Sequence, residues 1–172
     1  MTSGSVKGQQ GQNSAPDMAR LADRMQISEL LSRYCSTVDD KHISAEYVEA
    51  MFTPDGRYIL PNGAAVVGPK AITAQKIKTF SRFRATHHVT SDHIIEFDGD
   101  TARLRANMTA MHLWSADVSD PLSLQSHFVA GGVIEAIVVH TVDGWRFSEL
   151  STRIVWRTGA GLPAPAIAIL DK

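Results

Sequence analysis

Tyr34, Asp39, His87, His88, His112 and Arg153 are the residues of this chain whose types suit acid/base chemistry. An imidazole changes charge near neutral pH and serves as a proton acceptor or donor when a carboxylate orients it. A tyrosine hydroxyl can polarise a carbonyl, and an arginine can hold a carboxylate or enolate. His87 and His88 are adjacent at the head of a β-run, so their side chains point to opposite faces. Strict alternation groups His87 with Val89, Ser91, His93, Ile95 and Phe97, the more apolar set, and so favours His87 as the inward member. A bulge would reverse the parity, and the pattern alone leaves the choice open. His112 is the lone ionisable group in the row Ala102, Leu104, Ala106, Met108, Ala110, His112, Trp114. The turn at Asp98-Gly99-Asp100 brings that row back beside residues 86–88. Tyr34 and Asp39 are five residues apart, about 140° around an ideal helix. They share a face only if the helix ends near Asp39, and an aspartate at a helix C-terminus is disfavoured by the macrodipole.

Other chemistries have little support. No His-x-x-x-His or His-Glu-x-x-His spacing is present, and adjacent strand histidines cannot both face one ion without distortion. Neither a metal nor any other cofactor is expected. Phosphate loops, dinucleotide glycine fingerprints and serine nucleophile elbows are absent. The single cysteine, Cys35, falls in an apolar helical pattern and reads as a buried thiol. A net charge of -1 and the lack of a basic stripe argue against nucleic acid as a partner. No apolar run reaches the ~18–20 residues that cross a bilayer. With no apolar h-region at the N-terminus, the default expectation is a cytoplasmic protein.

The 172 residues suffice for one domain with a sizeable core. Residues 1–16 are polar and Gly-rich and are expected as a flexible tail. Pro16-Asp17 starts a long amphipathic helix, with Asp17 as N-cap, that ends near Asp39-Asp40. Leu21, Met25, Leu31, Cys35 and Val38 are its expected apolar stripe, widened by Ile27, Leu30 and Tyr34. A short helix capped by Ser44 follows, then a turn at Thr53-Pro54-Asp55-Gly56. Short strands at 57–60 and 65–67 flank the hairpin signal Pro61-Asn62-Gly63, and Pro69 opens a third helix. Long strands are expected over 86–97, 101–115, 124–141 and 145–157, with a loose connection at 117–121. Gly131-Gly132 marks a bend or close backbone approach. The tail from Gly159 reads as irregular. Helices first and a meander afterwards is an α+β pattern, with helices on one face of a curved antiparallel sheet enclosing a pocket for a small apolar ligand.

Ordered pieces of the chain then resemble a known family. They are Leu21-Ala22-Asp23-Arg24, Leu30-Leu31-Ser32-Arg33-Tyr34, Val38-Asp39, Met51-Phe52-Thr53-Pro54-Asp55-Gly56, Thr86-His87-His88-Val89, residues 95–102, and Asp143-Gly144-Trp145-Arg146. Together these are similar to a SnoaL-like domain of the nuclear-transport-factor-2-like superfamily, over about residues 18–157. The resemblance implies a cone of helices around a curved sheet, an apolar pocket, and a homodimer or homotrimer. It implies kinship with polyketide cyclases and with scytalone-dehydratase-like and bile-acid-dehydratase-like enzymes. In those relatives a Tyr on the first helix, an Asp after it and a strand His line the pocket; Tyr34, Asp39 and His88 stand at the matching positions. The resemblance thus moves the expectation from His87 to His88. The expected activity is cofactor-independent dehydration, cyclisation or isomerisation of a small hydrophobic polyketide-like or polycyclic substrate through an enol or enolate. His112 is the expected second acid/base, and Tyr58, Met108, Ile134 and Arg153 the expected substrate contacts. Ile134 and Ala136 stand where relatives often carry Tyr and Asp, which makes the pocket less acidic. The alternative is a noncatalytic ligand-binding or assembly subunit of the same fold, which would have a filled interior.

Overall fold

The computed structural model describes residues 14–115, 123 and 125–159. Three helices come first: α1 (Ser14–Asp39), α2 (Ala45–Met51) and, after two strands, α3 (Pro69–Phe80). The strands are β1 (Phe52–Ile59), β2 (Ala65–Val67), β3 (Phe83–Asp98), β4 (Thr101–Trp114), β5 (His127–Thr141) and β6 (Gly144–Gly159). They form one curved, open six-stranded sheet in the order β2-β1-β6-β5-β4-β3. The fold is the α+β arrangement that the element order predicts. β3 to β6 run as an antiparallel meander, while β1 joins β6 in parallel, a pairing the sequence did not suggest.

The helices lie over one face of this sheet. α1 packs on β3 and β6, α3 packs on β1 and β2, and α2 braces α3. Between them lies a core whose fully buried members include Phe52, Phe147, Ile27, Leu31, Ile72, Leu104 and Leu150. The even row of β4 is the inward one, as its apolar pattern requires: Ala102, Leu104, Ala106, Met108, Ala110 and His112 are all buried. Cys35 is a buried free thiol, and burial pushes it up to about 12.

Several local expectations are corrected. α1 begins at Ser14, so Asp17 sits in its first turn rather than capping it. Residues 1–13 of the expected tail, the connection 117–121 and the C-terminal residues 160–172 lie outside the described residues. Leu21 and Met25 were expected in the apolar stripe but are 50% and 66% exposed. The buried stripe starts only at Ile27, where α1 passes onto the sheet. The expected turn at Thr53-Pro54-Asp55-Gly56 lies inside β1, and the β1–β6 register shifts there between Phe52 and Arg57. Residues that signal a turn produce a bulged strand here because both flanks are held by β6.

Other local features behave as read. Ser44 caps α2, its hydroxyl accepting from the Tyr47 N–H at 3.3 Å. Ser44→Ala is expected to lower stability by about 1 kcal/mol in urea denaturation. Gly131 and Gly132 allow a close approach: a Cβ on Gly131 would lie 2.2 Å from the Trp156 indole, and one on Gly132 would lie 2.6 Å from the Arg153 carbonyl oxygen.

Candidate active site

β3 decides which histidine faces inward. Its register with β4 shifts between Ser91 and Ile94, where β3 carries one residue more than its partner. Asp92 takes a left-handed φ of 54° at this bulge. Beyond it, Ile95 and Phe97 turn toward the core. Before it, the parity is reversed, so His88 points inward and His87 is exposed. Alternation carried straight through the strand gives the wrong answer because of this one extra residue.

The end of α1 meets this stretch of β3. Asp39 is the last residue of α1. Its carboxylate accepts three hydrogen bonds: from the Thr86 hydroxyl at 2.8 Å, from the His88 backbone N–H at 2.7 Å and from His88 Nδ1 at 2.6 Å. Burial pushes the Asp39 carboxyl up, but the bonds from His88 and Thr86 outweigh it and hold the group below its ordinary range. Three donors compensate for the unfavourable dipole at a helix C-terminus. With Nδ1 committed to the carboxylate, His88 Nε2 has no hydrogen-bond partner among the described residues.

His88 lines a cavity of about 300 Å³ between the sheet, α1 and α3. Tyr34, Tyr58, Met108, His112 and Ile134 line it too, so these expected positions are brought together around one space. Asp39 stands behind His88 and reaches the cavity only through it. Phe80, Phe83 and Phe128 add aromatic surface to the remaining wall, and Arg82 and Arg157 add cationic groups.

His112 is only 9% exposed, and its Nδ1 is buried without a hydrogen-bond partner. Its ring stacks on Phe128 at 4.3 Å and meets the His88 ring edge-on at 5.4 Å. Burial, helped by the neighbouring His88 charge, pushes the imidazole down to about 4. His112 is therefore neutral at pH 7. That suits it to hydrogen-bond a ligand rather than to act as an imidazolium acid.

Arg153 does not join the site. It is exposed, because the inward residues of β6 are Leu150, Thr152 and Ile154. The β5–β6 register shifts between Gly131 and Gly132, skipping one residue of β6, and inward parity changes beyond it. Arg157, rather than Arg153, then lines the cavity. Arg153→Ala is expected to change stability by no more than about 0.5 kcal/mol in chemical denaturation and to leave ligand binding in the cavity unaltered.

Sequence reasoning missed Lys76. It lies on α3, is 3% exposed, and its ammonium donates to the Tyr34 hydroxyl. The same Nζ sits 3.6 Å from the Tyr58 ring centroid and 4.6 Å from that of Tyr34. Burial pushes Lys76 down and pushes the Tyr34 phenol well above its ordinary value. The available signal was that Lys76 follows Ile72 by four residues and so shares its buried face.

A cavity under a curved sheet, with a carboxylate-held histidine and a buried tyrosine, defines a class of small α+β proteins with a pocket between sheet and helices. The SnoaL-like domain model matches residues 19–151, and the chain belongs to this family. The fold is shared with solved structures. Kfla4162 from Kribbella flavida is 25% identical, with a TM-score of 0.72 over 80% of this chain and 94% of its own. A scytalone dehydratase candidate from Novosphingobium aromaticivorans is 19% identical, with a TM-score of 0.76 over 91% and 99%. The hexachlorocyclohexane dehydrochlorinase LinA-type3 from Novosphingobium barchaimii is 17% identical, with a TM-score of 0.70 over 86% and 99%. No functionally curated protein matches the sequence at a significant level. No helix among the described residues is long and apolar enough to cross a membrane.

Proposed function

We propose that this chain is a cofactor-independent acid/base enzyme, a dehydratase, cyclase or isomerase acting on a small hydrophobic polycyclic or polyketide-like substrate through an enol or enolate. The observation that carries this reading is His88 held by Asp39 at 2.6 Å, with its other ring nitrogen unpartnered at the wall of an aromatic cavity. In that tautomer His88 Nε2 accepts a proton from the carbon next to a carbonyl. The C–H electron pair forms the new double bond, and the carbonyl π pair moves to oxygen. The Tyr34 hydroxyl is the proposed proton donor to that oxygen. Asp39 stabilises the imidazolium as it forms, and the largely apolar wall strengthens each of these interactions. A cavity of about 300 Å³ also supports an enzyme over a filled assembly subunit, as does a Tyr34 hydroxyl bonded to Lys76 rather than to His88.

Enolisation has a readout that does not require the natural substrate. Incubated in D2O with 1-tetralone, a bicyclic ketone, the protein should accelerate deuterium uptake at C2 above the buffer rate, followed by proton NMR. The absence of acceleration for 1-tetralone and for 1-indanone alike would contradict the reading.

A further inference from the structure

Lys76 lacks what a buried ammonium ordinarily has. No carboxylate among the described residues forms an ion pair with it. Its neighbours are the Tyr34 hydroxyl and the faces of Tyr58, Tyr34 and Phe80, which compensate only in part for lost hydration. Cys35, the other titratable group near it, is held protonated by burial. Lys76 lines the same cavity as His88. Both lie within 6.0 Å of the Phe80 ring centroid, Lys76 Nζ at 5.7 Å and the His88 ring at 6.0 Å.

We propose that Lys76 and Tyr34 form an oxyanion-holding pole of the cavity. It selects flat, apolar ligands bearing one oxygen that carries, or develops, negative charge: ketones, enones and phenols. The ligand supplies the counter-charge that the protein leaves out. The part of this concerning substrate class rests on the proton-abstraction reading above; the binding part stands without it. A ring lying along Phe80 presents its C–H to His88 and its oxygen to Lys76. On enolisation, His88 Nε2 gains the carbon-bound proton and the oxygen gains the electron pair, which the Lys76 ammonium and Tyr34 hydroxyl hold by hydrogen bonds. A phenol needs no His88: it gives up its hydroxyl proton to the solvent and binds as a phenolate beside the Lys76 ammonium.

The test uses 4-nitrophenol, whose phenolate is yellow, against uncharged nitrobenzene. Wild type should bind 4-nitrophenol at least ~10-fold more tightly than nitrobenzene, and the bound ligand should be more ionised than in buffer at the same pH. Lys76→Met should lose both the preference and the colour while binding nitrobenzene as before. Lys76→Gln, which keeps a donor but no charge, should behave likewise and carries the test if the methionine variant folds poorly. Wild type with no preference and no colour overturns the pole, as do lysine variants that keep both. Colour without deuterium exchange leaves the pole standing and sinks the reaction. Exchange without colour does the reverse.

Discussion

His88→Ala should lower protein-dependent deuterium exchange into 1-tetralone by at least ~100-fold, the scale of a positioned general base. That corresponds to about 2.7 kcal/mol of transition-state stabilisation. Asp39→Asn should cause a loss of similar order although it leaves His88 in place. The Asp39 carboxylate accepts from the Thr86 hydroxyl, the His88 N–H and His88 Nδ1. An amide there has one accepting oxygen and an NH2 group that would face a donor. The relief available is for His88 to accept at Nδ1, which moves its proton to Nε2 and turns a donor toward the cavity. Exposed His87 is the matched control, and His87→Ala should leave exchange unchanged. Near-normal exchange in both His88→Ala and Asp39→Asn would remove the assignment.

His112→Phe should flatten the acid limb of the stability curve. Burial lowers His112 in the folded state from its ordinary 6.5 to about 4. Between those values the unfolded chain binds a proton that the folded chain refuses. Stability therefore rises with pH across this window and is lost as pH falls from about 6.5 toward 4. The full span amounts to about 3 kcal/mol. His88 and Arg82 oppose protonation of His112 and Asp39 favours it, so the window belongs to the cluster as it stands. Phenylalanine retains the stacking on Phe128 and removes the buried Nδ1 that has no partner. Urea midpoints taken between pH 4 and 7 should fall steeply in wild type and less in the variant. Parallel curves would show that His112 titrates normally.

The sequence carried the order of elements and six of the residues that line the cavity, Tyr34, Tyr58, His88, Met108, His112 and Ile134. β4 was legible because its apolar row is uninterrupted and both neighbouring strands pair with it in register over the cavity stretch. The inward histidine was not, since one extra residue between Ser91 and Ile94 inverts the parity of β3 and no residue pattern announces it. The resemblance to relatives supplied His88 where alternation favoured His87. The same physics misplaced Arg153: the β5–β6 register shift that skips Ser148 changes the inward parity of β6 and turns Arg153 outward, and the shift beside Gly131-Gly132 brings Arg157, four residues further on, to the cavity instead. Lys76 stayed hidden because a lysine on an amphipathic helix is ordinarily solvated, and its burial depends on the tertiary contacts of α3 with Tyr34 and Tyr58.

In the proposed reaction Asp39 fixes His88 in the tautomer that leaves Nε2 free as a base. Long-range 1H–15N NMR of the histidine rings reads this directly, at a pH where His88 is uncharged. The expected result is a protonated Nδ1 and an unprotonated Nε2 for His88, with the pattern lost in Asp39→Asn. A proton resident on Nε2 in wild type, with Nδ1 bare, would contradict it.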